Sequence, residues 1–434
     1  MGPRYQAVKG TRDVFPPESE RFAQAETIAR EVFSSHGYGE VRTPCLEPTE
    51  LFARSVGETT DIVHKEMYTF ADRKGRSLTL RPENTAGVVR AVVEAGLATG
   101  PMPLRLWYEG PQFRYERPQA GRYREFRQIG VELFGVASAS GEAEVLRMLF
   151  AFLHALGFRS LSVSLNSVGT SQSRAAFGEA LRGHLEPKAS AFSEDDRRKI
   201  EQNPLRLFDS KDPAVRAALE GSPRTLDFLD DASRRHHEEV RRLLGEAGIP
   251  FKDDPSLVRG LDYYTRTVFE VVSADLGAQD AVLGGGRYDN LVEALGGPSL
   301  PAIGFAIGED RLLEAAPFSA AARACVLVIP QDAEHLDDAL RLAAEIRQSV
   351  PDASVEVDLL ARGFKKGMAR ANALFEAAPV QRLDPGRMFA VLLGAQERQQ
   401  GTVTAKKLDT AEQTMVRRNE IGHWLATRLA EARA

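Results

Sequence analysis

The sequence predicts a multidomain α/β chain, and three observations carry that expectation. Its 434 residues span about three typical domain lengths. Residues 323–434 alternate strand and helix patterns in the β-α-β-α-β order of a parallel sheet with covered faces. Before them, strands and Gly-rich turns stand on both sides of a charged stretch with helical apolar spacing. The expected divisions are 1–170, 171–250, 251–317 and 323–434, with Pro317 to Ala322 as a linker.

The elements follow in order. Pro16-Pro17-Glu18-Ser19 opens a helix running to about Ser35, because proline suits a first turn. A short strand at Glu40-Val41-Arg42 stops at Thr43-Pro44. Leu104 to Tyr108 and Phe126 to Phe134 read as strands across an Arg-rich loop, and Ala143 to Leu156 as a helix. Residues 171–250 form a helical insert with Leu226, Leu229, Val240, Leu243 and Leu244 at helical spacing. Strands return at Phe269 to Val272, around Gly284-Gly285-Gly286, and at Gly304 to Gly308. Strands at Cys325 to Ile329, Ser354 to Leu360 and Met388 to Leu393 then alternate with helices at Leu336 to Val350, Lys365 to Ala377 and Glu412 to Ala432.

Composition excludes several classes. The chain carries 56 Lys+Arg against 61 Asp+Glu, so no uniform basic coat exists, although a local basic patch is compatible. Two cysteines, Cys45 and Cys325, rule out a disulfide scaffold and a Cys-rich zinc site. The polar start and the lack of a long apolar run point to a cytoplasmic chain with no signal peptide and no membrane. His236 and His237, in a charged helical stretch, read as solvated.

Chemistry concentrates in 104–134. In the strand from Phe126 to Phe134, Ile129, Val131 and Leu133 share a core face, while Gln128, Gly130 and Glu132 share the other. An amide and a carboxylate flanking a glycine suit a small polar ligand against the backbone. From Arg114 to Arg127 there are five arginines against two glutamates. Arginine forks match phosphate oxygens, and a neighbouring aromatic can stack on a base.

These residues are similar to motif 2 of class II aminoacyl-tRNA synthetases: a strand, Phe113-Arg114-Tyr115-Glu116, a loop, and a second strand. Gly37 to Pro44 resembles motif 1, and Gly304-Phe305-Ala306-Ile307-Gly308-Glu309-Asp310-Arg311 resembles motif 3. Leu257 to Glu270, with Arg259-Gly260-Leu261-Asp262-Tyr263-Tyr264, and Gly284 to Leu291 resemble the two signature peptides of the histidyl-tRNA synthetase family. Lys9 to Asp13 and Leu80-Arg81-Pro82-Glu83-Asn84-Thr85-Ala86 fit the same family. The resemblance implies an antiparallel-sheet class II catalytic core with a helical insertion, then a three-layer α/β anticodon-binding domain.

It also implies L-histidine, ATP with Mg²⁺ and a cognate tRNA as ligands, no zinc, and a homodimer. Glu83 and Thr85, assisted by Gln128, would hold the ammonium of histidine. Glu132 and Tyr264 would meet the ring nitrogens, with Tyr288 lining the pocket. Arg114 and Arg259 would clamp the α-phosphate and carboxylate as the catalytic pair, and Arg311 the γ-phosphate. Glu116 would read the adenine amino group and Phe126 stack on the ring. Of Tyr263 and Tyr264, strand alternation lets one face the ligand, taken as Tyr264. Glu309 and Asp310 stand where a helix starts, as caps or as metal ligands. From Arg362 to Arg418 eleven basic residues face five acidic ones, so Lys365, Lys366, Lys406 and Lys407 are tRNA-binding candidates.

Overall fold

The computed structural model describes residues 5–432 except 58, 59, 61, 117–121, 211, 260, 274–280 and 319–321. Gly260, most of the loop after Glu116 and half of the expected linker therefore lie outside the described residues. The chain groups into two compact units, Met1–Asp13 with Phe22–Phe318, and Val14–Arg21 with Ser319–Ala434. The segment 171–250 belongs to the first unit.

The strands of the first unit are β1 (Gly39–Glu40), β2 (Leu46–Pro48), β3 (Tyr68–Ala71), β4 (Ser77–Leu80), β5 (Leu104–Phe113), β6 (Glu125–Phe134), β7 (Leu161–Ser167), β8 (Phe251–Asp253), β9 (Thr265–Ser273), β10 (Ala281–Arg287) and β11 (Ala302–Gly308). Eight of them form one sheet in the order β1-β5-β6-β11-β10-β9-β7-β8, and β2, β4 and β3 form a small sheet beside it. The large sheet is antiparallel except for the β1–β5 and β7–β8 pairs at its edges.

Helices cover it. α1 (Glu18–Ser35) lies on the back face, where Phe33 packs edge-on against Trp107 at 5.7 Å and beside Phe152 at 5.2 Å. α2 (Thr49–Val56) and α3 (Thr85–Glu94) pack together near the front. α3 is capped by Glu83, whose carboxylate accepts the N–H groups of Thr85 (2.7 Å) and Ala86 (3.0 Å). β6 departs from the expected pattern of one core face and one wet face, because every residue from Ile129 to Phe134 is buried. Its polar face is covered too, and the residues gathered on that face form the candidate site.

Between β7 and β8 come α5 (Ser171–Leu185), α6 (Glu194–Gln202), α7 (Pro213–Leu219) and α8 (Asp231–Glu246). Phe177, Leu181, Ile200 and Val215 give this segment an apolar cluster of its own. α8 instead packs on α4 (Ser140–Ala155). This corrects the expectation for the two histidines. His236 Nε2 lies 2.7 Å from Glu142, and His237 Nε2 lies 3.2 Å from Asp253, both rings being nearly buried. The charged sequence hid them because α8 is amphipathic, and its histidines fall on the packed side with Val240 and Leu244. The first unit closes with α9 (Leu291–Ala294) and α10 (Glu309–Ala315).

The second unit holds β12 (Arg323–Pro330), β13 (Ala353–Val357), β14 (Leu383–Leu393), β15 (Thr402–Lys407) and β16 (Gln413–Arg417), in the order β13-β12-β14-β15-β16. Val326, Val328, Phe389 and Val391 face α11 (Leu336–Ser349) and α15 (Ile421–Glu431) across an apolar core. α12 (Phe364–Glu376), α13 (Ala378–Gln381) and α14 (Ala395–Gln400) complete it. The single helix expected over 412–432 is a strand followed by a shorter helix. Val403 and Val416 pair across β15 and β16 and are both buried, a β-branched pairing that outweighs the helical spacing. β13 ends at Val357, leaving Leu359 and Leu360 exposed. Among the described residues no helix is long and apolar enough to cross a membrane.

Candidate active site

The pocket opens on the front face of the large sheet. Gly130, Glu132 and Gln128 of β6 pair with Ala306, Gly304 and Gly308 of β11 and with Tyr108, Leu106 and Gly110 of β5. A β-carbon at Gly304 would collide with the Glu132 carboxylate, and one at Gly130 with the Tyr108 ring. These glycines therefore set the depth of the pocket floor.

Glu132 sits at its centre and is 1% exposed. Thr85 Oγ1 donates to one carboxylate oxygen at 2.8 Å, and the Tyr288 hydroxyl donates to the other. Burial pushes the Glu132 carboxyl up to about 8, against the pull of those donors. Tyr108, Tyr263 and Tyr288 have hydroxyls pushed well above the usual range, first by burial and then by nearby anions. The wall is thus neutral and donor-rich, facing one carboxyl group. Such a group can accept from an N–H or share a proton with a ring nitrogen.

Both tyrosines of the 257–270 segment belong here, contrary to the alternation argument. Tyr263 and Tyr264 precede β9, so strand alternation does not apply to them. Their ring centres lie 4.7 Å apart, and Tyr263 also meets Tyr288 at 5.7 Å. Arg259 donates to Glu270 at 2.6 Å. Burial opposes its charge, but Tyr264 and Glu270 hold it firmly cationic. A β-carbon at Gly284 would occupy the place of the Arg259 guanidinium, and one at Gly286 would meet the Tyr264 ring. The glycine run makes room for these two side chains.

At the other end, Arg114 leaves β5 and donates to the Pro82 carbonyl at 2.8 Å. Its guanidinium carbon is 5.4 Å from the centre of the Phe126 ring, and Glu116 is 4.0 Å away. Arg114, Glu116 and Phe126 are therefore neighbours. Gln128 is near the same end, with its amide oxygen buried and without a hydrogen-bond partner. Arg311 lies in the first turn of α10, just after β11 passes Gln128. Glu83, expected to hold an ammonium, has both carboxylate oxygens on the backbone of α3. Its carboxyl is pushed upward by burial.

Sequence reasoning missed Tyr108, Tyr263 and Arg81. Tyr108 was legible in principle, since it stands opposite Gly130 in register. Arg81 is 4% exposed and donates to Thr43, Asn84 and the Pro111 carbonyl, so it fastens α3 to β5. No periodicity marks such a residue.

In the second unit, Lys365 and Lys366 lie exposed in the first turn of α12. Lys406 and Lys407 end β15, where Lys407 pairs with Asp409 at 3.0 Å. Arg418 is tied to Asp338 (2.9 Å) and Glu345 (3.2 Å) on α11, which removes it from the basic patch.

An antiparallel sheet whose front face carries a buried carboxyl among hydroxyls, with Arg259 at one end and Arg114 beside Phe126 at the other, has the layout of a class II synthetase core. The comparisons give the family. The family model of histidyl-tRNA synthetase matches residues 10–312. The histidine–tRNA ligase of Synechococcus elongatus is 45% identical over 99% of this chain and 97% of its own length. That of Halorhodospira halophila is 46% identical over 93% of each chain. The apo crystal structure of S. aureus histidyl-tRNA synthetase superposes with a TM-score of 0.78 at 33% identity, covering 97% of this chain and 100% of that one. The chain belongs to the histidyl-tRNA synthetase family.

Proposed function

We infer that the chain joins histidine to its tRNA in two steps at this pocket. The histidine carboxylate attacks the α-phosphate of ATP, and the bond to pyrophosphate breaks, giving histidyl-adenylate. A hydroxyl of the tRNA's terminal adenosine then attacks the acyl carbon, and AMP leaves. Charge accumulates on phosphate oxygens, so fixed cations and positioning supply the acceleration. Arg114 and Arg259 are the proposed clamp on the α-phosphate and carboxylate, and Arg311 the contact to the γ-phosphate. Phe126 and Glu116 would take the adenine. Thr85 and Gln128 would hold the ammonium, with Glu83 acting on it through the start of α3. Mg²⁺ enters as part of the Mg–ATP substrate and spreads charge on the outer phosphates; zinc has no part in this reading.

The second unit is proposed to bind the anticodon arm, with Lys365, Lys366, Lys406 and Lys407 as phosphate contacts. Homodimer formation is inferred from the motif-1-like residues 37–44, and a cytoplasmic setting from the reaction itself.

The observation that carries the reading is Glu132, a buried carboxyl group that accepts from a hydroxyl on each of its oxygens. It suits imidazole, whose two nitrogens offer a donor and an acceptor. A pocket of this kind rejects apolar isosteres because its own polar groups would be left unpaired. The test is histidine-dependent ATP–pyrophosphate exchange by Glu132→Gln. The KM for histidine is expected to rise about 100-fold or more. An unchanged KM would remove Glu132 from the histidine site.

A further inference from the structure

The back face of the large sheet carries a second charged cluster, behind the pocket. Glu109 of β5 and Arg127 of β6 point there, on the face opposite Tyr108 and Gln128. Glu26 of α1 and Glu309, the first residue of α10, meet them. One carboxylate oxygen from each of Glu26, Glu109 and Glu309 lies within 4.8 Å of the other two. Arg127 pairs with Glu109 and lies 3.2 Å from Glu26, but its Nε is 3.8 Å from Glu309, beyond hydrogen-bond reach. Glu309 is wholly buried, and neither of its oxygens has a hydrogen-bond partner. The neighbouring Asp310 is already satisfied by Arg12 at 2.9 Å and the Arg127 N–H at 3.3 Å.

Three carboxylates face one guanidinium, so the ionised cluster lacks two positive charges. A buried, unpaired carboxylate is costly unless a cation or a proton reaches it. A spacing of 4.8 Å suits oxygens sharing one hard cation, since calcium binds oxygen at about 2.3–2.6 Å. We propose that Glu26, Glu109 and Glu309 hold a divalent cation of calcium or manganese size on the back of the sheet. Water fills its remaining positions, and the ion joins α1, β5 and α10. Because α10 begins at Glu309 and carries Arg311 two residues later, the ion braces the helix start that presents Arg311 to ATP.

The test strips the full-length chain with chelator and titrates Mn²⁺ without ATP. Free Mn²⁺ is followed by electron paramagnetic resonance, and the melting temperature is read with and without Mn²⁺ or Ca²⁺. The proposal expects one bound ion per chain and a higher melting temperature. Glu309→Gln should abolish both effects. Glu26→Gln, at a half-buried helix position that threatens folding less, should weaken binding at least tenfold. A chain that binds no ion, or binds it equally well in both variants, overturns the proposal and leaves Glu309 holding a proton.

Discussion

Glu132 shows at the scale of one residue how position sets chemistry. Gln would have nearly its shape, yet only a carboxyl group can change charge where Thr85 and Tyr288 donate to it. In the unfolded chain this carboxyl ionises near the ordinary 4.5; in the folded, ligand-free chain burial delays ionisation to about 8. The folded state thus binds the proton more tightly. Its stabilising contribution is complete below the ordinary value and is lost as pH rises through the folded one. The unfolding free energy of the ligand-free chain should therefore drop from pH 4.5 to pH 8 by on the order of a few kcal/mol more than that of Glu132→Gln, read as a steeper fall in melting temperature. Parallel curves would mean that Glu132 is ionised throughout. Glu132 was legible in the sequence because strand alternation placed it with Gln128 and Gly130. His236 was not, because a histidine on a charged helix looks solvated until the packed side of α8 is known. Tyr263 was missed because the strand rule was applied to residues that lie before the strand.

At the scale of the element, β10 works by what it omits. Gly284 and Gly285 are neighbours but face different constraints. A methyl group at 284 would displace the Arg259 guanidinium, the far end of a flexible side chain. At 285 it would meet the Gly304 carbonyl and the Phe269 ring, which cannot easily move. Gly284→Ala should keep its melting temperature within a few degrees yet lose exchange activity as fully as Arg259→Ala. Gly285→Ala should instead lose stability, by about 1–3 kcal/mol of overpacking. Equal melting losses would show that the run is a plain structural turn. The opposite design appears where β10 ends. Arg287 is wholly buried and donates to Glu142 at 2.6 Å, and Glu142 also meets Thr267 and His236. Arg287 and its partners outweigh burial and hold that carboxyl down to about 2. Strands were readable from alternation and glycine; this network was not, because its members come from α4, α8, β9 and β10.

The whole molecule separates along its two units. The pocket side chains all come from the first, and the candidate tRNA lysines from the second. The β-α-β rhythm after residue 323 was legible, but β15 was not assigned and β16 was absorbed into a helix expected over 412–432, because the pairing of Val403 with Val416 shows only once the two strands meet. Deleting residues 323–434 should spare ATP–pyrophosphate exchange and reduce tRNA charging by at least 100-fold. Unchanged charging would refute the anticodon role of the second unit. The central claim, that this pocket activates histidine, is tested most directly by exchange measured with each of the twenty amino acids. Exchange with histidine alone is the expected result. Exchange with a different amino acid, or with none, would contradict it.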